Sequence, residues 1–422
     1  MRENAKPNTT MDALLQDVRY AVRTLARRPG FALAAVLSLA IGIAATSAVF
    51  GVVNGILFKP VPGVQRPERL VQLTDYSGGN WADLEYATVQ RFGEETALVE
   101  GVAAFSVGAA SVATDGEPEV RGGLATTSSY FELLGVRPSL GRAFTAQEAT
   151  LPSVAPLVLI TDHMWRTAFE GRSDIVGQTV RVNGVPLEVI GILPNGFAGH
   201  STGLLIDVFL PLGLAVPGFP SAASLTDVRS SSVESLARLR AGVTPAVAAA
   251  AFSGTASRVA AGAGQDVGRG RVIRVEPWGP LPAAVRGAAA AFVAVLTVLV
   301  GLALLMACTN VTSMLLARAT ERGREFAIRR ALGAAPMRLM RQLVTEAVLL
   351  FAAAGVTGIA LAAWVTGLTR AISPRIPIPG RLAFDFGLDW RVLLLSSGVT
   401  LVAGMLAGLV PGLHARGARL AQ

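Results

Sequence analysis

Residues 310–346 read NVTSMLLARATERGREFAIRRALGAAPMRLMRQLVTE, and the architecture turns on this stretch. It starts inside one apolar segment and ends at the edge of another, with arginine and glutamate at helical spacing between them. Glu321 and Glu325 stand one helical turn apart, and Glu325 precedes Arg329 in the favourable order for an ion pair along a helix. Phe326, Ile328 and Leu332 leave an apolar strip beside those charges. Gly333 is a helix stop, and Pro336 starts the next helix, which carries Leu339, Leu343 and Val344. The spacing predicts a transmembrane helix that continues past the membrane, breaks, and resumes as a short amphipathic helix at the surface. Such an element can take a push from a soluble partner and pass it through the bilayer. A solvated loop whose arginines only fix topology fits the same residues.

Working outward, the 422-residue chain is 52% hydrophobic and 16% charged, and its mean hydropathy of +0.51 points to a membrane protein with a sizeable polar portion. The net charge of +8 is carried almost wholly by arginine and gathers around the apolar segments. That distribution suits an anionic cytoplasmic leaflet, and the aromatic and basic interleaving of a single-strand binder is missing, so no nucleic-acid partner is expected. Cys308 is the sole cysteine, so an intrachain disulfide is excluded.

Four stretches reach the roughly 20 apolar residues that a span requires: 31–58, 287–317, 347–369 and 392–415. Small residues recur on single faces (Gly51 and Gly55; Ala354, Gly358 and Ala362; Gly404 and Gly408), a spacing that permits close helix packing in lipid. The polar Thr46, Ser47, Asn54, Thr309, Asn310, Thr312 and Ser313 are expected to bond between helices. Arginines at 19, 23, 27 and 28, through 318–341, and at 416 and 419 place both termini and the central charged segment in the cytoplasm. Residues 1–30 then form a tail and an interfacial amphipathic helix with Leu14, Val18, Val22 and Leu25 on one side. Residues 318–346 are the cytoplasmic segment, 370–391 an external loop, and 416–422 a cytoplasmic tail.

Residues 59–286 read as an external α+β domain. A strand is predicted over 70–75, a helix over 83–95, and a hairpin over 180–190 turning at Asn183-Gly184. Thr244-Pro245 opens a helix to about residue 261, and a strand follows over 272–275.

A phosphate cradle ends in Gly-Lys-Ser/Thr, and the chain's lysines, Lys6 and Lys59, follow Ala5 and Phe58. If ATP drives this protein, another polypeptide is expected to supply the ATPase and bind the nucleotide. His163, His200 and His414 are scattered; Asp162 beside His163 reads as surface, and Ser230, Ser231 and Ser232 have no Gly-x-Ser-x-Gly elbow. Gly78, Gly79, Gly122 and Gly123 read as turns. No catalytic residue, cofactor-binding residue or metal ligand is assigned, and an exported enzyme is disfavoured.

Four segments carry a family resemblance: QDVRYAVRTLARRPGFALAAVLSLAIGIAATSAVF at 16–50, SSYFELLGVRPSLGRAF at 128–144, LITDHMWRTAFEGRSDIVGQTVRVNGVPLEVIGILPNGFAG at 159–199, and ARATERGREFAIRRALGA at 317–334. The last three resemble the FtsX-like, MacB-like permeases of ABC transporters, and the first is similar to the acidobacterial-type duplicated orphan permeases within that superfamily, of which this chain holds one unit. The resemblance implies an α-helical membrane protein with four transmembrane helices (1+3) in a bacterial inner membrane. A MacB-like periplasmic core lies between the first two, with a porter-like lobe (about 69–99 and 235–278) and an inserted lobe. It further implies a homodimer or pseudodimer that binds a cytosolic ABC ATPase through Glu321, Arg322, Glu325, Arg329, Arg330 and Gly333, and a periplasmic or outer-membrane partner. Mechanotransmission for efflux, lipoprotein release or peptide export is the function implied. An ATPase-independent sensor or scaffold, binding a ligand or envelope protein through the external domain, is the alternative.

Overall fold

Pro29 and the apolar run after it explain the first long helix. Proline at a first helical position lacks only an N–H that would be unpaired there, and the residues that follow contain no charge. The computed structural model describes residues 9–53, 61–113, 118–201, 203–227, 232–265, 270–279, 281, 283–321, 336–372 and 381–383, with 398 and 402. The chain divides into two units, one of long helices and one built on a sheet (56–289 with 374–385).

In the helical unit, α1 (Thr9–Ala26) packs against α2 (Pro29–Val53) and a later helix. Of its predicted apolar stripe, Leu25 joins the apolar cluster while Val18 and Val22 are exposed; the buried residue of this stretch is Ala21, outside that stripe. Further along, α8 (Ala283–Glu321) has 39 residues, or close to 60 Å at about 1.5 Å per residue, twice a hydrocarbon core of about 30 Å. The last helix described, α9 (Pro336–Ile372), begins at Pro336 but does not pause at the surface. No glycine or proline lies between Pro336 and Gly355, so the expected short amphipathic helix is simply the opening of the third long one. Among the described residues, three helices are long and apolar enough to cross a membrane, at Pro29–Gly51, Arg286–Arg318 and Val344–Val365. The fourth predicted span, 392–415, lies outside the described residues except for 398 and 402.

The other unit centres on β1 (Leu70–Asp75), α3 (Tyr86–Glu94), β2 (Val99–Ala113), β9 (Glu234–Leu239), α7 (Pro245–Gly262) and β10 (Ile273–Pro277). These form a βαββαβ lobe with strand order β10-β1-β9-β2, all antiparallel. Thr244 caps α7 by accepting from the Val247 N–H, as its position before Pro245 predicts. The insertion between β2 and β9 adds β3 (Glu119–Thr126), α4 (Ser129–Leu134), β4 (Leu140–Gly141), β5 (Leu157–Ile160), α5 (Asp162–Ala168), β6 (Thr179–Val182), β7 (Val185–Ile192), β8 (Gly203–Pro211) and α6 (Ala222–Thr226). The predicted hairpin is β6–β7, with φ 50° at Asn183 and 84° at Gly184.

β2 joins the two parts: its first half pairs with β9 and its second with β3, so one sheet runs through both. Successive strand residues feed two apolar layers. Val71, Ala237 and Val208 face a layer with Phe92 of α3 and Phe252 of α7, while Leu70, Leu236 and Phe209 face one with Tyr130 and Phe131 of α4. Gly122 and Gly123, read above as a turn, lie within β3. Gly123 is small because the Phe219 ring lies over the sheet there; a Cβ on it would come within 2.6 Å of that ring. β11 (Arg381–Ala383), in the segment expected to be loop, pairs antiparallel with the first residues of β8. Those residues extend beyond β8's pairings with β3 and β5, so β11 covers an open backbone edge.

Candidate functional site

Of the six residues assigned to coupling, Glu321 ends α8, and Arg322, Glu325, Arg329, Arg330 and Gly333 lie outside the described residues. The helix leading to them is anchored. Three residues before its end, the Arg318 guanidinium lies 3.3 Å above the Phe31 ring at the start of α2. Higher up, Ala35, Leu39 and Ile43 of α2 pack with Val311 of α8 and with Leu350, Phe351 and Ala354 of α9.

Gly358 sits where α9 crosses α2. A Cβ there would meet the Ala40 carbonyl oxygen and the Ile43 side chain at 2.9 Å, and Ala354 and Ala362, one turn to either side, are buried. Gly42, which the sequence did not single out, plays this part between α2 and α8, facing Leu304 and Ala307. Gly51 is buried near the end of α2, while Gly55, Gly404 and Gly408 lie outside the described residues. Four of the span hydroxyls bond within their own helices rather than, as expected, between helices. Thr46, Thr309, Thr312 and Ser313 each donate to the carbonyl four residues back in their own helix, one turn away, which satisfies them without a partner.

A second cluster, within the sheet unit, fixes the two segments that lead to the long helices. Entering, Gln65 donates from its backbone N–H to Leu134 O (2.8 Å) and from Nε2 to Gly135 O (3.0 Å). Gly135 has φ 73°, and a Cβ would strike the Gln65 side chain at 2.6 Å. Arg238, 2% exposed on β9, donates to the carbonyls of Arg66 (2.8 Å), Gln65 (2.7 Å) and Leu133 (3.2 Å). Burial, then the nearby Arg66, lowers its pKa. Arg69 holds Leu239 O at 2.6 Å and Glu100 at 2.6 Å, and Glu100 also meets Arg66 at 3.3 Å. Leaving, Trp278 donates from its N–H to Leu70 O (2.8 Å), and Arg286 of α8 donates to Pro277 O and Leu281 O, both at 3.0 Å. Entry and exit therefore run side by side off neighbouring strands. Only one signal in the sequence could have revealed this cluster: Arg238 interrupts the apolar run of β9.

Elsewhere chemistry is sparse. Asp162 Oδ2 accepts from Arg166 Nε at 2.8 Å, and His163 is exposed. Ser232 Oγ donates to Asp83 at 3.1 Å, and His200 packs among aromatic rings. No group of three His, Cys, Asp or Glu residues that could hold a metal occurs among the described residues.

Long apolar helices with a large mixed domain inserted between the first two define a membrane protein of the permease type. Comparison with known proteins agrees. The model of the MacB-like periplasmic core domain matches residues 32–254, and that of the FtsX-like permease C-terminal domain matches 292–420. The chain belongs to this MacB-like, FtsX-like family of ABC-transporter permeases. It is 25% identical over 289 residues to the macrolide export ATP-binding/permease protein MacB of Escherichia coli K12, covering 68% of this chain and 41% of that protein. The Shigella flexneri protein of the same name is 24% identical over the same length. The chain thus spans about two fifths of the curated relatives it matches. The periplasmic region of MacB from Actinobacillus actinomycetemcomitans aligns at 11% identity with a TM-score of 0.37, covering 52% of this chain and 92% of that one. The extracellular domain of the transporter YknZ from Gram-positive bacteria aligns at 17% and 0.35, covering 49% and 98%.

Proposed function

We propose that this chain is the mechanotransmitting permease subunit of an ABC-type transporter in a bacterial inner membrane. ATP is bound and hydrolysed by a cytosolic ATPase supplied separately from these residues. The observation that carries the reading is α8: a single helix joins the arginine-clamped root of the sheet domain to the charged segment after residue 321. A continuous helix transmits displacement along its length, and Arg286 ties its first turn to the strand that precedes it. Glu321, Arg322, Glu325, Arg329, Arg330 and Gly333 receive the ATPase, the chain works as a dimer of such units, and the external domain engages the exported molecule or an envelope partner. The relatives are named for macrolide export; efflux, lipoprotein release and peptide export are the processes such a lever serves.

The test is co-purification of the full chain with candidate ATPases, comparing wild type with Glu325→Arg. Charge reversal is expected to lower ATPase retention at least tenfold while leaving the yield of folded permease unchanged. Equal retention would remove the coupling assignment and favour the sensor or scaffold reading.

A further inference from the structure

A small pocket of about 50 Å³ opens over the centre of the sheet, where β9, β2, β3 and β8 run side by side. Phe105, Val107, Leu124 and Ile206 make its apolar walls, and His200 and Glu234 are its ionisable ones. Glu234 begins β9 directly across from Phe105 on β2, so the carboxyl and the aromatic ring share one site. The His200 ring packs edge-on at 4.3 Å from Phe105, with Nδ1 2.9 Å from the Tyr130 hydroxyl.

No cation reaches Glu234 among the described residues. Its charged neighbour is another acid, Asp83, while His200 is held neutral and Tyr130 stays protonated. A half-buried carboxylate with no cation beside it among the described residues, next to an aromatic ring and apolar walls, is complementary to a positive group on a short apolar stem. We propose that this pocket binds an alkylammonium group, with Glu234 as its counterion and the contacting rings of Phe105 and His200 as the wall beside it. The volume admits an ammonium and the methylenes next to it, which a free amine and a lysyl side chain present equally. The site is independent of the ATPase-coupling reading.

The probe is n-butylammonium, titrated against the full chain in nanodiscs and followed by saturation-transfer NMR. N-acetyl-lysine methylamide and n-butanol serve as parallel arms. Because burial and Asp83 push the Glu234 carboxyl up to about 7, affinity is expected to fall about tenfold from pH 8 to pH 6. Glu234→Gln is expected to weaken binding at least tenfold and to abolish the pH dependence; its thermal unfolding at pH 8, expected no lower than wild type, shows that it folds. Tighter binding of the lysine derivative would identify a protein side chain as the occupant, and tighter binding of butylammonium a free amine. The proposal falls if n-butanol binds as well as butylammonium, if neither binds, or if Glu234→Gln leaves affinity and pH profile unchanged.

Discussion

Two residues on one pocket wall give the external domain opposite pH limbs. Burial, and then Asp83, raises the Glu234 carboxyl to about 7 from an ordinary 4.5, so the folded protein holds a proton that the unfolded chain has released. Stability from this group is complete below 4.5 and is lost as pH rises through 7. Burial lowers His200 to about 4 from 6.5, so its contribution is present above 6.5 and is lost as pH falls through 4. The slopes oppose each other between 4.5 and 6.5. Thermal unfolding of the full chain should fall on both sides of that window, with Glu234→Gln flattening the alkaline limb and His200→Asn the acid one. Arg238 makes a different prediction. Its donors all go to backbone carbonyls, so Arg238→Ala leaves buried acceptors unpaired, at about 3 kcal/mol or more. Arg238→Lys keeps the charge but cannot span three acceptors. If this residue transmits force, the lysine variant should remain folded by circular dichroism and lose permease-stimulated ATP turnover in the assembled transporter.

Among the elements, the α2–α9 crossing is the sharpest case of shape deciding stability. An added methyl at Gly358 would press on the backbone of Ala40, which cannot rotate away, whereas one at Gly367 meets nothing within 4 Å. Gly358→Ala should therefore lower the unfolding temperature in detergent, by about 1–3 kcal/mol of overpacking. Gly367→Ala on the same helix should raise it by about 0.5–1 kcal/mol through reduced backbone entropy. The contrast explains what the sequence made legible. Helix-period small residues revealed a packing face, and alternating residues around Asn183-Gly184 revealed the hairpin, because each signal is local. β1, α7 and the start of α9 were readable for the same reason: a cap, a proline or a β-branched run marks them. The joining of two lobes through β2 was not, because its β9 partners lie 129 to 140 residues along the chain (Phe105 with Glu234, Val99 with Leu239). Nor was the span hydroxyl pattern, since a hydroxyl in lipid is satisfied equally by a neighbouring helix or by its own. The Arg238 cluster was hidden because its acceptors are backbone carbonyls, which every residue has. For the coupling segment the sequence remains the whole case, as all but Glu321 lie outside the described residues.

On the scale of the molecule, chain connectivity constrains topology more tightly than any single span. The chain leaves the sheet unit along α8 and returns, after α9, to add β11 to β8. Two helices of membrane-spanning length lie between those points, and on the proposed reading both cross the bilayer, so the sequence 322–335 is expected on the side away from the external domain. That segment carries Arg322, Arg324, Arg329 and Arg330, which by the positive-inside tendency is the cytoplasmic side. Single cysteines in a Cys308→Ser background test this in intact cells with a membrane-impermeant maleimide. Gly79→Cys, on an open turn of the sheet unit, should be labelled from outside; Arg330→Cys should be labelled only after the membrane is permeabilised. The pair Leu204→Cys and Leu382→Cys, opposite each other in the β8–β11 register, should form a disulfide in the folded protein. Labelling of Arg330→Cys from outside would invert the whole arrangement and place the coupling segment beyond a cytosolic ATPase's reach. Correct labelling without the disulfide would keep the orientation but remove the β8–β11 pairing.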